Sequence, residues 1–197
     1  LVLIFLKNIK FIEFMLLELF LVEEDYMSKK YCPVCASECV PAINTSKDIL
    51  VIGEFPSGEE VLQGRPFASN PNFMSAGKVF RKELERLGVS INQMEIMNLW
   101  MHIPNKDERC FQLGYEHVLD EAKGKKAILL VGSDVVNTFT EYKVSDTNGL
   151  QVDSSILSAP IIYSLIQPAI VLHGRGLGEV RFGIEKFIHR LEQENLL

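Results

Sequence analysis

Asp48-Ile49-Leu50-Val51-Ile52-Gly53-Glu54 is a short apolar run that stops on a glycine and a carboxylate. It shows no alternation of polar and apolar residues, so both of its faces must be covered. A strand buried on both faces is the mark of a parallel sheet. Three further runs read the same way: 94–100 (MEIMNLW), 127–132 (AILLVG) and 161–166 (IIYSLI). Helical spacing fills the intervals. Residues 75–87 carry Val79, Phe80, Leu84 and Leu87 on one stripe, and Gly88 stops them. Residues 107–122 bury Phe111, Leu113, Tyr115, Val118 and Leu119. Ser133 is expected to N-cap a short helix through Phe139. Residues 177–196 present Val180, Ile184, Phe187, Ile188 and Leu191. Residues 143–159 are the least regular stretch, expected as a surface loop or hairpin. Strands alternating with helices imply crossover connections, hence an α/β fold: a three-layer α/β/α sandwich around a four-stranded parallel sheet.

In such sheets ligands bind outside the carboxyl ends of the strands. Four places follow: Gly53-Glu54-Phe55-Pro56, residues 98–102, Gly132-Ser133 and Gln167-Pro168-Ala169. Polar residues stand there at the ends of otherwise apolar strands.

The 197 residues suffice for one domain with a substantial core. Hydrophobic residues make up 47% and charged residues 23%, and the formal net charge is -6. That balance argues against a protein that coats nucleic acid indiscriminately, which needs clustered Lys and Arg. It leaves room for one basic face.

Residues 1–21 are apolar but interrupted by Lys7, Lys10, Glu13 and Glu18, a charge density unsuited to a membrane span. They also lack the pattern of a signal peptide. They read either as an amphipathic helix docked on the core or as a translated leader. The leader is preferred: Met-Ser-Lys-Lys from Met27 is a common style of soluble N-terminus, and the codons for residues 22–26 can hold a purine-rich ribosome-binding sequence. Residues 1–26 are therefore expected to be dispensable and 27–197 to form a single cytoplasmic, monomeric domain.

Three of the four cysteines crowd together. Cys32, Cys35 and Cys39 are spaced Cys-x2-Cys-x3-Cys, and Cys110 stands apart. This spacing reads as metal ligation in a reducing cytosol rather than as disulfides. Four thiolates suit either an iron–sulfur cluster or tetrahedral zinc.

The segment from Gly53 to Phe67, GEFPSGEEVLQGRPF, resembles the first motif of the bacterial and archaeal uracil-DNA glycosylases that carry an iron–sulfur cluster, roughly G-E-x-P-G-x-x-E-D-x-x-G-x-P-F. The spacing agrees throughout, with Ser57 in place of Gly and Val61 in place of Asp. Met97-Asn98-Leu99-Trp100-Met101-His102-Ile103-Pro104-Asn105 is similar to the family's second segment, and Gln167-Pro168-Ala169 stands where the family has His-Pro-Ser/Ala. The resemblance covers roughly residues 32–191. It departs at Gln167, in place of His, and at His102, in place of Cys, which marks a divergent branch of the sort expected in a bacteriophage.

The resemblance implies cleavage of the N-glycosidic bond of a flipped-out uracil in DNA. Glu54 would orient water and offset the cationic sugar. Phe67 would stack on the base, Asn98 would read its N3–H and O4 edge, Gly53 and Phe55 would line the pocket, and Gln167 would occupy the donor position. A Gln amide donates but carries no charge, and loss of one good donor typically costs about two to three orders of magnitude in rate. Activity is expected to be reduced; the alternative is a binding module that kept the pocket and lost catalysis. Arg65, His173 and Arg175 are the candidate DNA contacts. The resemblance tips the cysteine centre toward a four-iron cluster on Cys32, Cys35, Cys39 and Cys110, with zinc as the alternative and His102 as the substitute ligand.

Overall fold

The computed structural model describes residues 30–197; the expectation about 1–26 lies outside them. Residues 31–197 form one compact unit. Its elements run β1 (Ile49–Gly53), α1 (Gly58–Gln63), α2 (Ala76–Arg86), a 3-10 turn (Ile91–Gln93), β2 (Glu95–Asn98), α3 (Glu108–Glu121), β3 (Ala127–Val131), α4 (Ser133–Phe139), α5 (Val144–Thr147), β4 (Ile161–Leu165), a second 3-10 turn (Pro168–His173) and α6 (Leu177–Gln193).

The four strands make one parallel sheet in the order β2-β1-β3-β4. The α/β/α sandwich expected from the sequence is the observed architecture. Because side chains alternate along a strand, each strand feeds two cores. Ile49, Val51, Leu129, Val131, Ile161 and Leu165 pack with Val79, Phe80 and Leu84 of α2 and with Val180, Ile184, Phe187 and Leu191 of α6. Leu50, Ile52, Met97, Ile128, Leu130 and Ile162 pack with Val118 of α3 and Val135, Val136 and Phe139 of α4. This double coverage is why the strands read as continuous apolar runs. Leu113, expected on the buried face of α3, packs beside Cys32, Cys39 and Cys110 in a small third cluster.

Two local expectations are corrected. The cap of α4 is Gly132, at φ 100°, with no side-chain hydrogen bond, and Ser133 is the first helical residue. The strand must turn sharply into the helix there, which a left-handed glycine allows and a serine does not. Residues 143–159 are not a plain loop or hairpin, since they hold α5 and then bridge β4 through Asn148 opposite Ser164 and Gln151 opposite Tyr163. Buried Thr147 and Ser164 anchor the segment, their hydroxyls 2.9 Å apart. Helix α1 had no expectation, being too short to show a buried stripe.

The register sets the position of the site. Gly53 pairs with Asn98, placing the ends of β1 and β2 side by side. The pairing continues past the strands, with the Leu99 N–H donating to the Gly53 carbonyl (2.8 Å) and the Trp100 N–H to the Glu54 carbonyl (2.9 Å). The Gly132 N–H donates to the Leu165 carbonyl at 2.8 Å, which brings the ends of β3 and β4 to the same edge.

Candidate active site and metal centre

At that edge lies a cavity of about 160 Å³ lined by Gly53, Glu54, Phe55, Ser57, Glu60, Phe67, Ala76, Gly77, Asn98, Gln167 and Ala169. It is smaller than the roughly 300–1,000 Å³ typical of sites for drug-sized ligands, a scale suited to one aromatic ring. The expected residues Glu54, Phe67, Asn98 and Gln167 all meet here, although they come from three strand ends and a loop.

Glu54 is held at both oxygens. Oε1 accepts the backbone N–H of Asp134, in the first turn of α4, at 3.1 Å. Oε2 accepts the Gln167 side-chain amide at 3.1 Å. Burial pushes its carboxyl above the ordinary glutamate value, and these two hydrogen bonds hold it down only in part. Gly132 makes room for the side chain, since a Cβ there would lie 2.3 Å from Glu54 Oε1.

Phe67 is buried, its ring tilted at 60° against Phe80 with centroids 5.1 Å apart. Its backbone is left-handed, φ 49°, an unusual conformation for a bulky residue. Two hydrogen bonds hold it there: its N–H donates to Glu60 Oε1 at 2.6 Å, and its carbonyl accepts from Arg81 Nε at 2.9 Å. Gly53 contributes by lacking a side chain. A Cβ at that position would stand 2.4 Å from Asn98 Oδ1 and 2.7 Å from the Phe67 ring. The amide and the ring therefore close on the cavity over bare backbone.

Glu60 is the residue sequence reasoning missed. Its Oε2 accepts the Ser57 N–H at 2.8 Å while the Ser57 hydroxyl accepts the Glu60 N–H, a reciprocal cap on α1. Its Oε1 accepts from the Phe67 N–H and from Asn98 Nδ2, the latter at 3.5 Å. One carboxylate thus fixes the start of α1, the strained Phe67 and the orientation of the Asn98 amide. The Ser57-x-x-Glu60 pattern was the available signal. Asn98 is 4% exposed and ends β2.

The basic candidates do not line this cavity. Arg65 is exposed, bonded through its guanidinium to Gln63 Oε1 at 3.0 and 3.2 Å, and faces a separate depression with Arg81. His173, which ends the second 3-10 turn, and Arg175 are exposed on either side of left-handed Gly174, where the chain leaves the Gln167–Ala169 wall. Phe55 lines the cavity and is 45% exposed.

The cysteines gather elsewhere. Cys32, Cys35, His102 and Cys110 place one ligand atom each within 4.8 Å of one another and could hold a metal. Cys39 stands outside this foursome, its Sγ 3.8 Å from the Ser37 carbonyl, and burial together with Cys32 and Cys35 pushes its thiol up to about 12. His102, buried, takes the place the four-cysteine expectation gave to Cys39.

A family model described as the uracil DNA glycosylase superfamily matches residues 40–187, from just after Cys39 into α6. No curated protein matches the chain.

Proposed function

Because the chain belongs to the uracil DNA glycosylase superfamily, whose members are DNA glycosylases, we propose that it hydrolyses the N-glycosidic bond of a uracil swung out of DNA. The observation that carries this reading is the convergence of Glu54, Phe67, Asn98 and Gln167 on one ring-sized cavity. Extrusion of the target base into such a pocket is how enzymes reach atoms hidden in a duplex.

In this reading the uracil ring stacks on Phe67 and sets its N3–H and O4 edge against Asn98. Glu60 decides which way that amide faces. Its carboxylate draws Asn98 Nδ2 and repels Oδ1, so the second N–H and the carbonyl oxygen are left for the base. Uracil matches that pattern; cytosine, with an acceptor at N3 and a donor at N4, needs the flipped amide. As the bond from sugar C1′ to uracil N1 breaks, its electron pair leaves with the base and positive charge grows on the sugar. Glu54 offsets that charge, orients water toward C1′ and receives the proton the water gives up. Gln167 has two amide protons. One is engaged by Glu54, and the other is free to donate to the anionic base. The exposed Arg65, His173 and Arg175 would take phosphates of the DNA around the mouth.

The metal ligands are absent from the cavity wall, so a metal there would brace the chain rather than act on the substrate. A second reading, a binding module with little turnover, is favoured by one feature: the residue facing Glu54 is an uncharged amide. Single-turnover incubation with uracil-containing oligonucleotides, followed by alkali cleavage, tests the two. Excision supports the glycosylase. No excision by the parent at high enzyme concentration and no rescue by Gln167→His would overturn it. Retained preference for uracil-containing over thymine-containing DNA would then leave the binding module standing.

A further inference from the structure

The geometry points to a single tetrahedral metal ion, of zinc type, held by Cys32, Cys35, His102 and Cys110, and not to a four-iron cluster. The Sγ atoms of Cys32 and Cys110 are 3.8 Å apart, and Cys35 Sγ is 3.4 Å from His102 Nε2. A tetrahedral ion with metal–sulfur bonds of about 2.3 Å and a metal–nitrogen bond of about 2.0–2.1 Å sets its sulfurs about 3.8 Å apart and a sulfur and nitrogen about 3.5 Å apart. In a four-iron cluster each thiolate caps a different iron, which spreads the sulfurs to roughly 6 Å. With all four donor atoms within 4.8 Å of one another, there is room for one ion and none for the body of a cluster.

The surroundings agree. His102 Nδ1 lies 2.8 Å from the Ile103 carbonyl, the usual arrangement by which the far ring nitrogen of a ligating histidine is oriented. Asn105 Nδ2 lies 3.7 Å from Cys110 Sγ and the Ser37 hydroxyl 3.2 Å from Cys35 Sγ, so a donor stands beside each of two thiolates. Around the first two ligands the chain makes a tight turn over residues 32–37, the Ala36 N–H donating to the Cys32 carbonyl at 2.7 Å and the Cys32 N–H to the Ser37 carbonyl at 2.8 Å, with Ala36 in the left-handed region. The Cys32–Cys35 turn, the segment after β2 and the first turn of α3 are thereby joined at one point. The ligands also include the residue, His102, by which the chain departs from the four-cysteine expectation.

The test needs no catalytic readout, so it fails or succeeds independently of the glycosylase reading. The full chain is purified without oxygen from cells supplied with both iron and zinc, and metal and acid-labile sulfide are measured. The expected result is one zinc per chain, no labile sulfide and no brown absorption. Several irons per chain with matching sulfide would overturn the proposal, as would protein that folds with no metal and takes none up. Cobalt added to the metal-free chain gives a visible spectrum that reports its ligands. A tetrahedral spectrum of three sulfurs and one nitrogen is expected, converted to a four-sulfur spectrum by His102→Cys and left unchanged by Cys39→Ser. A spectrum altered by Cys39→Ser and indifferent to His102→Cys would show that the ligand set is wrong.

Discussion

In the proposed reaction Glu54 has to be ionised to offset a cation, yet its burial favours the neutral form. The consequence is a pH profile. Excision is expected to fall on the acid side at a pH above the ordinary glutamate range, because the folded carboxyl holds its proton more tightly than a free one. Glu54→Gln should lower single-turnover excision by roughly 10²–10⁴, leave binding of uracil-containing DNA nearly intact and abolish that acid limb. Measuring rate and binding for both proteins across the pH range checks all three. Glu60 allows a sharper test of specificity. Glu60→Gln removes the charge that orients the Asn98 amide, so the preference for uracil over cytosine should narrow by about tenfold or more, in line with the roughly 1–3 kcal/mol at stake when a buried polar group loses its partner. Competition between uracil- and cytosine-containing single strands reads this directly, and unchanged discrimination would sink the orienting role.

Two elements carry features with consequences of their own. The turn from β3 into α4 depends on Gly132, at φ 100° and pressed against Glu54. Gly132→Ala adds left-handed strain of about 1–3 kcal/mol and displaces the carboxylate, so excision should drop by a larger factor than the fall in thermal stability alone explains. In β2 the problem is a buried charge. Glu95 is fully buried and accepts from Lys125 Nζ at 2.6 Å, while its other oxygen has no partner. Burial and the neighbouring Glu121 carboxyl push Glu95 to about 7, against the pull of Lys125. That folded value lies above the unfolded one. The stability it contributes is complete below the unfolded value and is lost as pH rises through about 7. Removing the ammonium leaves an unpaired buried carboxylate, so Lys125→Met should destabilise by about 3–5 kcal/mol, more in mildly alkaline than in mildly acidic buffer. Denaturant melts at the two pH values check the sign.

Across the whole molecule, the sheet was legible because strands covered on both faces are almost wholly apolar, and the longer helices because each shows one apolar stripe. The site was legible where it depends on strand ends: Glu54, Asn98 and Gln167 follow from topology as much as from resemblance. What escaped was whatever depends on side-chain reach. Helix α1 is six residues long with no buried residue, so it leaves no periodic trace, and Glu60 acts through contacts with residues seven and 38 positions on. His102 was named from the sequence as the substitute for Cys39, but the choice between the two rests on how a loop folds back on α3, which spacing along the chain does not encode. Among the described residues no helix is long and apolar enough to cross a membrane. Residues 31–197 are compact by themselves. A chain starting at Met27 is therefore expected to melt within a degree or two of the full chain and to bind DNA equally well; a large drop in melting temperature would show that the preceding residues support the fold.

The strand order has one more consequence, which concerns time rather than space. Strand β1 is the first to leave the ribosome, yet it lies inside the sheet with a neighbour on each edge. It must wait, unpaired on at least one side, until β3 has been synthesised. The wall bearing Gln167 follows only after β4, the last strand made. A nascent or prematurely terminated chain can thus display Glu54 and Asn98 without the wall that closes the cavity beside them, and the cavity is completed only late in synthesis, when the final strand docks.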